Sequence, residues 1–179
     1  STDYYYSFFV YKKIAVVIEE IRAMVNTLGG SVIDIRDRAL ILIGFAGAFR
    51  RSELVSIEID NIEFNSDGLI ITLLHSKIGH DGQGNEKRIP YGSHLDTCPV
   101  RSLRDWLQAS KITTGPLFRR VNRHGQVGTE ALSDQSVALI VKKLVKAAGL
   151  DERKYSGHSL RSGLITAAAS RGVAERSIM

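Results

Sequence analysis

Cysteine is almost missing from this 179-residue chain. One thiol, Cys98, excludes any internal disulfide framework, and no Cys/His cluster has the spacing of a zinc site. That usage is expected of a reducing cytoplasm. No apolar run is long enough to span a bilayer: the longest, ALILIGFAGAF from Ala39 to Phe49, is flanked by Arg36, Asp37 and Arg38 on one side and by Arg50 and Arg51 on the other. It predicts a buried core helix and no membrane partner. The amino-terminal stretch DYYYSFFVYKK is aromatic where a signal peptide would carry a basic start, an aliphatic run and a small-residue cleavage site. Repeats, low-complexity tracts and linkers rich in Pro, Gly or Ser are missing too. The organisation expected is an aromatic segment at residues 1–15, with no structure assigned, followed by one domain over residues 16–179.

Positive charge is what the chain has in excess. Lys and Arg number 24 against 19 Asp and Glu, a formal charge of +5, and the pI is near 9.4. The balance favours a polyanionic partner without identifying one. Hydrophobic residues make up 44% of the chain, enough for one substantial core. Val17, Ile18, Ile21, Met24, Val25 and Leu28 recur at helical spacing up to Gly29 and Gly30, which predicts a first helix. A second, from about Ile35 to Phe49, is apolar on nearly all sides and therefore central. SELVSI predicts a short helix with Ser52 as its N-cap.

Ile62 and Phe64, then GLIITLLHSK across the turn NSDG, then KRIPY beyond the loop IGHDGQGNE, predict a three-stranded antiparallel sheet. Pro99 opens another helix, with Val100, Leu103, Trp106 and Leu107 on one side. LSDQSVALIVKKLVKAAGL predicts the next: Ser133 caps it, Val137, Ile140, Val141, Leu144 and Val145 form its stripe, and Gly149 stops it. A further helix runs from about His158 to Arg171. The fold class expected is mainly α with a small antiparallel three-stranded sheet, an α+β domain.

Several side chains stand out from this scaffold as anion binders or proton carriers: Arg50 with Glu53, Lys77 beside a Gly-rich loop, and the pair His158 and Arg161. A spacing of three puts His158 and Arg161 on one helix face, and Ser156 just before them suits an N-cap. Unpaired N–H groups at a helix start would add their pull to the two cations, so the pair predicts a phosphate-sized site. Arginine can hold two phosphate oxygens at once, and histidine can donate a hydrogen bond and exchange a proton near neutral pH. Taken singly, each has a plainer reading, as a solvated helix start, a helix-ending arginine or a charged strand edge.

Their order and contexts carry more. GAFRRSEL, then the SK that leads into a Gly-containing hairpin, then GHSLRSG resemble the catalytic domain of the tyrosine recombinases, especially phage-type integrases. The resemblance runs from about Val16 to Met179, and it implies the family fold and a double-stranded DNA substrate. It also implies phosphodiester transfer through a covalent 3'-phosphotyrosyl intermediate, with no metal and no cofactor. By it, Arg50 and Arg161 clamp the scissile phosphate, Lys77 is the general acid for the leaving 5'-oxygen, His158 assists proton transfer, and Glu53 buttresses the arginines. Gly79, Gly82 and Gly84 would let the hairpin loop bring Lys77 to DNA. A nucleoid-associated protein that forms homo-oligomers on DNA when full length is the expectation that goes with it.

The chain departs from the family pattern at its carboxyl end. A second His or Trp and then the nucleophilic Tyr should follow the His-x-x-Arg helix, and the sequence reaches Met179 before either. Tyr4, Tyr5, Tyr6, Tyr11 and Tyr91 precede the box, as does Tyr155, three residues before His158. The chain alone is therefore expected to be inactive. The alternative is a non-catalytic DNA-binding fragment or degenerate integrase. A phosphate-binding loop at GHDGQGNEKR is disfavoured, because it lacks the Gly-Lys-Ser/Thr ending and sits in a hairpin.

Overall fold

Helix α1, over residues 17–26, leads into a computed structural model that describes residues 17–74 and 85–155. Its Ile21, Met24 and Val25 are buried, as their spacing predicts. Helix α2, Val32–Ala46, is the centre of the molecule, with Ala39, Leu40, Ile41 and Ile43 wholly buried. It begins three residues before the apolar pattern does, because the Ser31 hydroxyl accepts the Asp34 N–H at 3.1 Å and caps it. It also ends three residues before Phe49. Ala48 adopts a left-handed conformation, φ 49°, and the Phe49 ring turns back over Gly47, where a Cβ would sit against the ring atoms.

Helix α3, Arg51–Val55, follows at once. Strands β1 (Ile62–Phe64), β2 (Gly68–Leu73) and β3 (Asn85–Pro90) form the antiparallel sheet expected from the sequence, in the order β1-β2-β3. The register opposes Ile62 to Ile71, Phe64 to Leu69 and Leu69 to Ile89, so Leu69, Ile71, Leu73 and Ile89 go into the core together. The fold class is mainly α with this small sheet.

Helix α4, Pro99–Ser110, packs against α2 and buries Val100, Leu103 and Trp106, while the Trp106 Nε1–H donates to the Leu117 carbonyl at 2.9 Å. Two arginines fasten α4 to the sheet side. Arg104 lies 4.3 Å from the centre of the Phe64 ring, and Arg101 lies 5.2 Å from that of Tyr91.

A two-stranded ribbon, β4 (Arg119–Val121) with β5 (Val127–Ala131), has no counterpart in the sequence reading. Its base is tied into the core by backbone bonds from Leu117 N–H to the Ile57 carbonyl and from Leu132 N–H to the Phe118 carbonyl, each 2.9 Å.

Helix α5, Asp134–Ala147, buries the full predicted stripe and is capped by the Ser133 hydroxyl, which accepts the Ser136 N–H at 3.1 Å. Gly149, with φ 69°, ends it, and a single 3-10 turn, Glu152–Tyr155, follows. Among the described residues no helix is long and apolar enough to cross a membrane. The helix predicted from His158 to Arg171 lies outside the described residues.

Candidate active site

The turn between α2 and α3 is the part of the predicted site that the structure describes. The left-handed Ala48 and the buried Phe49 force the chain to reverse, and the residue that emerges is Arg50. Arg50, with extended backbone (φ −68°, ψ 152°), is the N-cap of α3. Ser52 is not the cap: it falls inside the helix, because the reaching group is the Glu53 carboxylate three residues into the turn. Glu53 Oε2 accepts the Arg50 N–H at 2.8 Å, and its Oε1 lies 3.4 Å from Arg50 Nη1. One carboxylate thus holds both the backbone and the guanidinium of the same arginine, the acid half of a capping box doubling as a side-chain anchor.

Exposure separates the two roles. The Arg50 side chain is 41% exposed and that of Glu53 only 18%. The guanidinium has more donors than Glu53 uses, so an oxyanion can be taken up without breaking the anchor. Behind it, α3 buries Leu54 and packs against α5. Replacing Glu53 with Ala removes the cap and the anchor together, and is expected to lower folding stability by about 1 kcal/mol. Glu53→Gln keeps an acceptor for the Arg50 N–H and should lose less. Urea unfolding of the two variants beside the parent checks this ordering.

Lys77, His158 and Arg161 lie outside the described residues. The described chain stops at Leu74, just past β2, and resumes at β3, and in sequence Lys77 falls between these two strands. Tyr155 closes the 3-10 turn, and its hydroxyl donates to a Glu20 carboxylate oxygen on α1. The structure brings Arg50 and Glu53 together, and it holds Tyr155 in a polar contact with α1.

A charged cluster that the sequence reading took only as the flank of an apolar run is buried. Arg36 is 7% exposed and Asp37 1%. Arg36 Nε and Nη2 both donate to Asp37 Oδ1, at 3.0 and 2.8 Å, and Nη1 donates to the Arg119 carbonyl at 3.2 Å. Lys143 Nζ of α5 stands 4.0 Å from Asp37 Oδ2. Burial pushes the Asp37 carboxyl above its ordinary value, although Arg36 and Lys143 pull it down and Asp34 adds a small push upward. Arg36 and Asp37 join α2 to β4 beneath the surface, and the exposed Lys143 side chain of α5 approaches the pair from outside. The signal for it was the pair Arg36–Asp37 itself, set where the central helix was already expected to be surrounded.

Comparison with known proteins supplies the context for this geometry. The chain matches the model of the phage integrase family over residues 16–179. It is 48% identical over 145 residues to an integrase/recombinase XerD homologue of Selenomonas ruminantium, covering 81% of this chain and 42% of that protein. It is 30% identical over 159 residues to the tyrosine recombinase XerD of Corynebacterium glutamicum, covering 83% and 46% respectively. The chain thus spans less than half the length of these relatives. Among solved structures, the XerH site-specific recombinase bound to its difH substrate in a pre-cleavage complex aligns with a TM-score of 0.59 at 18% identity, over 86% of this chain and 43% of that one. That likeness is one of fold.

Proposed function

Since the chain belongs to the phage integrase family of tyrosine recombinases, we propose that residues 16–179 are catalytic-domain sequence of a site-specific DNA recombinase. In this reading Arg50 is one arm of the clamp on the scissile phosphate. The observation that carries it is the reversal at Ala48–Arg50, which presents a partly exposed guanidinium already anchored by Glu53. An arginine fixed before the substrate arrives stabilises developing charge on the non-bridging oxygens without reorganising at the moment of reaction.

The reaction proposed is an in-line exchange at phosphorus. A tyrosine oxygen forms a bond to the phosphorus while the bond to the 5'-oxygen breaks, leaving a 3'-phosphotyrosyl link and a free 5'-hydroxyl. Lys77 gives the leaving oxygen its proton, and His158 assists removal of the phenolic proton and holds the phosphate with Arg161. Glu53 acts through Arg50 and touches no reacting atom. The partner is double-stranded DNA, the acting form is a homo-oligomer of the full-length protein on that DNA, and the setting is the cytoplasm.

The attacking tyrosine is placed outside these 179 residues. Tyr155 precedes His158, and its hydroxyl is engaged with Glu20. A phenol has a reference pKa of about 10 and needs a positioned, activating site to attack. The 179 residues alone are therefore expected to bind duplex DNA with an affinity that falls steeply as salt is added, and to form no covalent adduct with a nicked suicide substrate. Incubation with end-labelled nicked DNA followed by denaturing electrophoresis tests this. A denaturation-resistant complex on Tyr155 or on any amino-terminal tyrosine would overturn the placement of the site.

A further inference from the structure

We propose that the β4–β5 ribbon is a second contact to the DNA backbone, made by Arg120 and Arg123; this rests on the recombinase reading above. The ribbon has three arginines, Arg119, Arg120 and Arg123, against one carboxylate, Glu130. They are not equivalent. Arg119 is turned back into the protein, where its Nε donates to the Pro116 carbonyl at 2.8 Å and its Nη2 to the Thr114 carbonyl. Arg120 and Arg123 are exposed, and among the described residues neither is in an ion pair. Charge on an edge strand discourages pairing with other strands, but charge of either sign does that and a hydrogen-bonded tip is not required for it.

The tip is hydrogen-bonded within itself. Asn122 Oδ1 accepts the N–H groups of His124 and Gln126 at 2.9 and 3.0 Å, and its Nδ2 donates to Gln126 Oε1 at 2.7 Å. Gly125 takes the left-handed conformation, φ 79°, that closes the turn. Arg123 commits only its Nε, to His124 Nε2 at 3.1 Å. At the ribbon's base the buried Arg36 donates to the Arg119 carbonyl. Two exposed cations are thus carried on a ribbon hydrogen-bonded within its turn and at its base, which lowers the entropy lost when they engage an anion.

Their position selects the kind of anion. Gly125 lies beside Val32, the first residue of α2, whereas Arg50 lies just past its last turn. At about 1.5 Å per residue, 15 residues separate the two ends by roughly 22 Å. That is several times the roughly 3.4 Å axial spacing of phosphates along one strand. A nucleotide's phosphate chain cannot bridge such a gap, and a duplex backbone does.

The test is the salt dependence of duplex binding by the 179-residue chain, for the parent, for Arg120→Gln with Arg123→Gln, and for a charge-matched control on α5, Lys142→Gln with Lys146→Gln. Circular dichroism confirms that each is folded. Losing two phosphate contacts should reduce the slope of log K against log salt by about 1.8, so that the ratio of parent to ribbon-variant affinity shrinks about twelvefold between 50 and 200 mM salt. The control should keep nearly the parent slope. An unchanged slope in the ribbon variant, or an equal fall in the control, overturns the ribbon contact while leaving the recombinase reading standing. A parent that does not bind duplex DNA at all overturns both.

Discussion

Asp37→Ala is expected to cost about 3–5 kcal/mol of folding stability, because it strands the Arg36 guanidinium in the interior with a single carbonyl for a partner. A surface ion pair would be worth far less. Here both side chains are out of water, and Arg36 also holds the base of the β4–β5 ribbon. Equilibrium unfolding in urea measures the loss, and a cost below about 1 kcal/mol would show that the pair does not need both partners.

The direction of the Asp37 shift gives an independent check. Its folded carboxyl titrates above the ordinary value of 3.8, with burial as the main cause. The native state therefore binds more protons than the unfolded state between that value and the raised one, and stability from this group falls as pH rises through the window. Asp37→Asn removes the titration. The stability of the parent relative to Asp37→Asn should decline as pH rises from about 3.8 through the raised value and then level off. A relative gain by the parent over that range would mean that the pull of Arg36 outweighs burial.

Arg50→Ala, made in a recombinase chain that includes the nucleophilic tyrosine, is expected to slow DNA cleavage about 10²–10³-fold, the usual effect of losing one preorganised donor to a developing oxyanion. Arg50→Lys should recover only part of this. Lysine brings the charge but cannot offer the planar fork that holds two phosphate oxygens or keep the same anchor to Glu53. The fold should tolerate either change, since Glu53 caps α3 through the backbone N–H of residue 50. Single-turnover cleavage of a labelled suicide substrate reads the effect separately from binding. A variant that cleaves at the parent rate would remove Arg50 from the clamp.

What was legible in the sequence follows from the range of the interactions. The α5 stripe from Val137 to Val145 and its Ser133 cap are local: a 3.6-residue period and one hydroxyl three residues from its donor N–H suffice to define them. The sheet is legible through the short apolar run GLIITLL and the turn NSDG before it, and the fold then selects Leu69, Ile71 and Leu73 for the core.

The ribbon was not, because RRVNRHGQVGTEA has almost no apolar alternation. It is held by side-chain bonds within its turn and by backbone bonds to Ile57 and Phe118. The cap of α3 was misread as Ser52 for a related reason, since a serine is the better isolated cap and only the fold shows the Glu53 carboxylate reaching back to Arg50. The burial of Arg36 and Asp37 was hidden because the carbonyl that completes their network is 83 residues away. In the site, Arg50 and Glu53 are legible through the GAFRRSEL segment that resembles the tyrosine recombinases, whereas Lys77, His158 and Arg161 belong to segments outside the described residues.

A crystal structure of the chain bound to a DNA duplex measures directly whether the four side chains converge on one phosphate. The guanidinium groups of Arg50 and Arg161 are expected within hydrogen-bonding distance of the same backbone phosphate, with His158 beside it and Lys77 near its 5'-oxygen. Arg50 and Arg161 on opposite faces of the domain, or a DNA path that leaves the Ala48–Arg50 turn uncovered, would contradict that convergence.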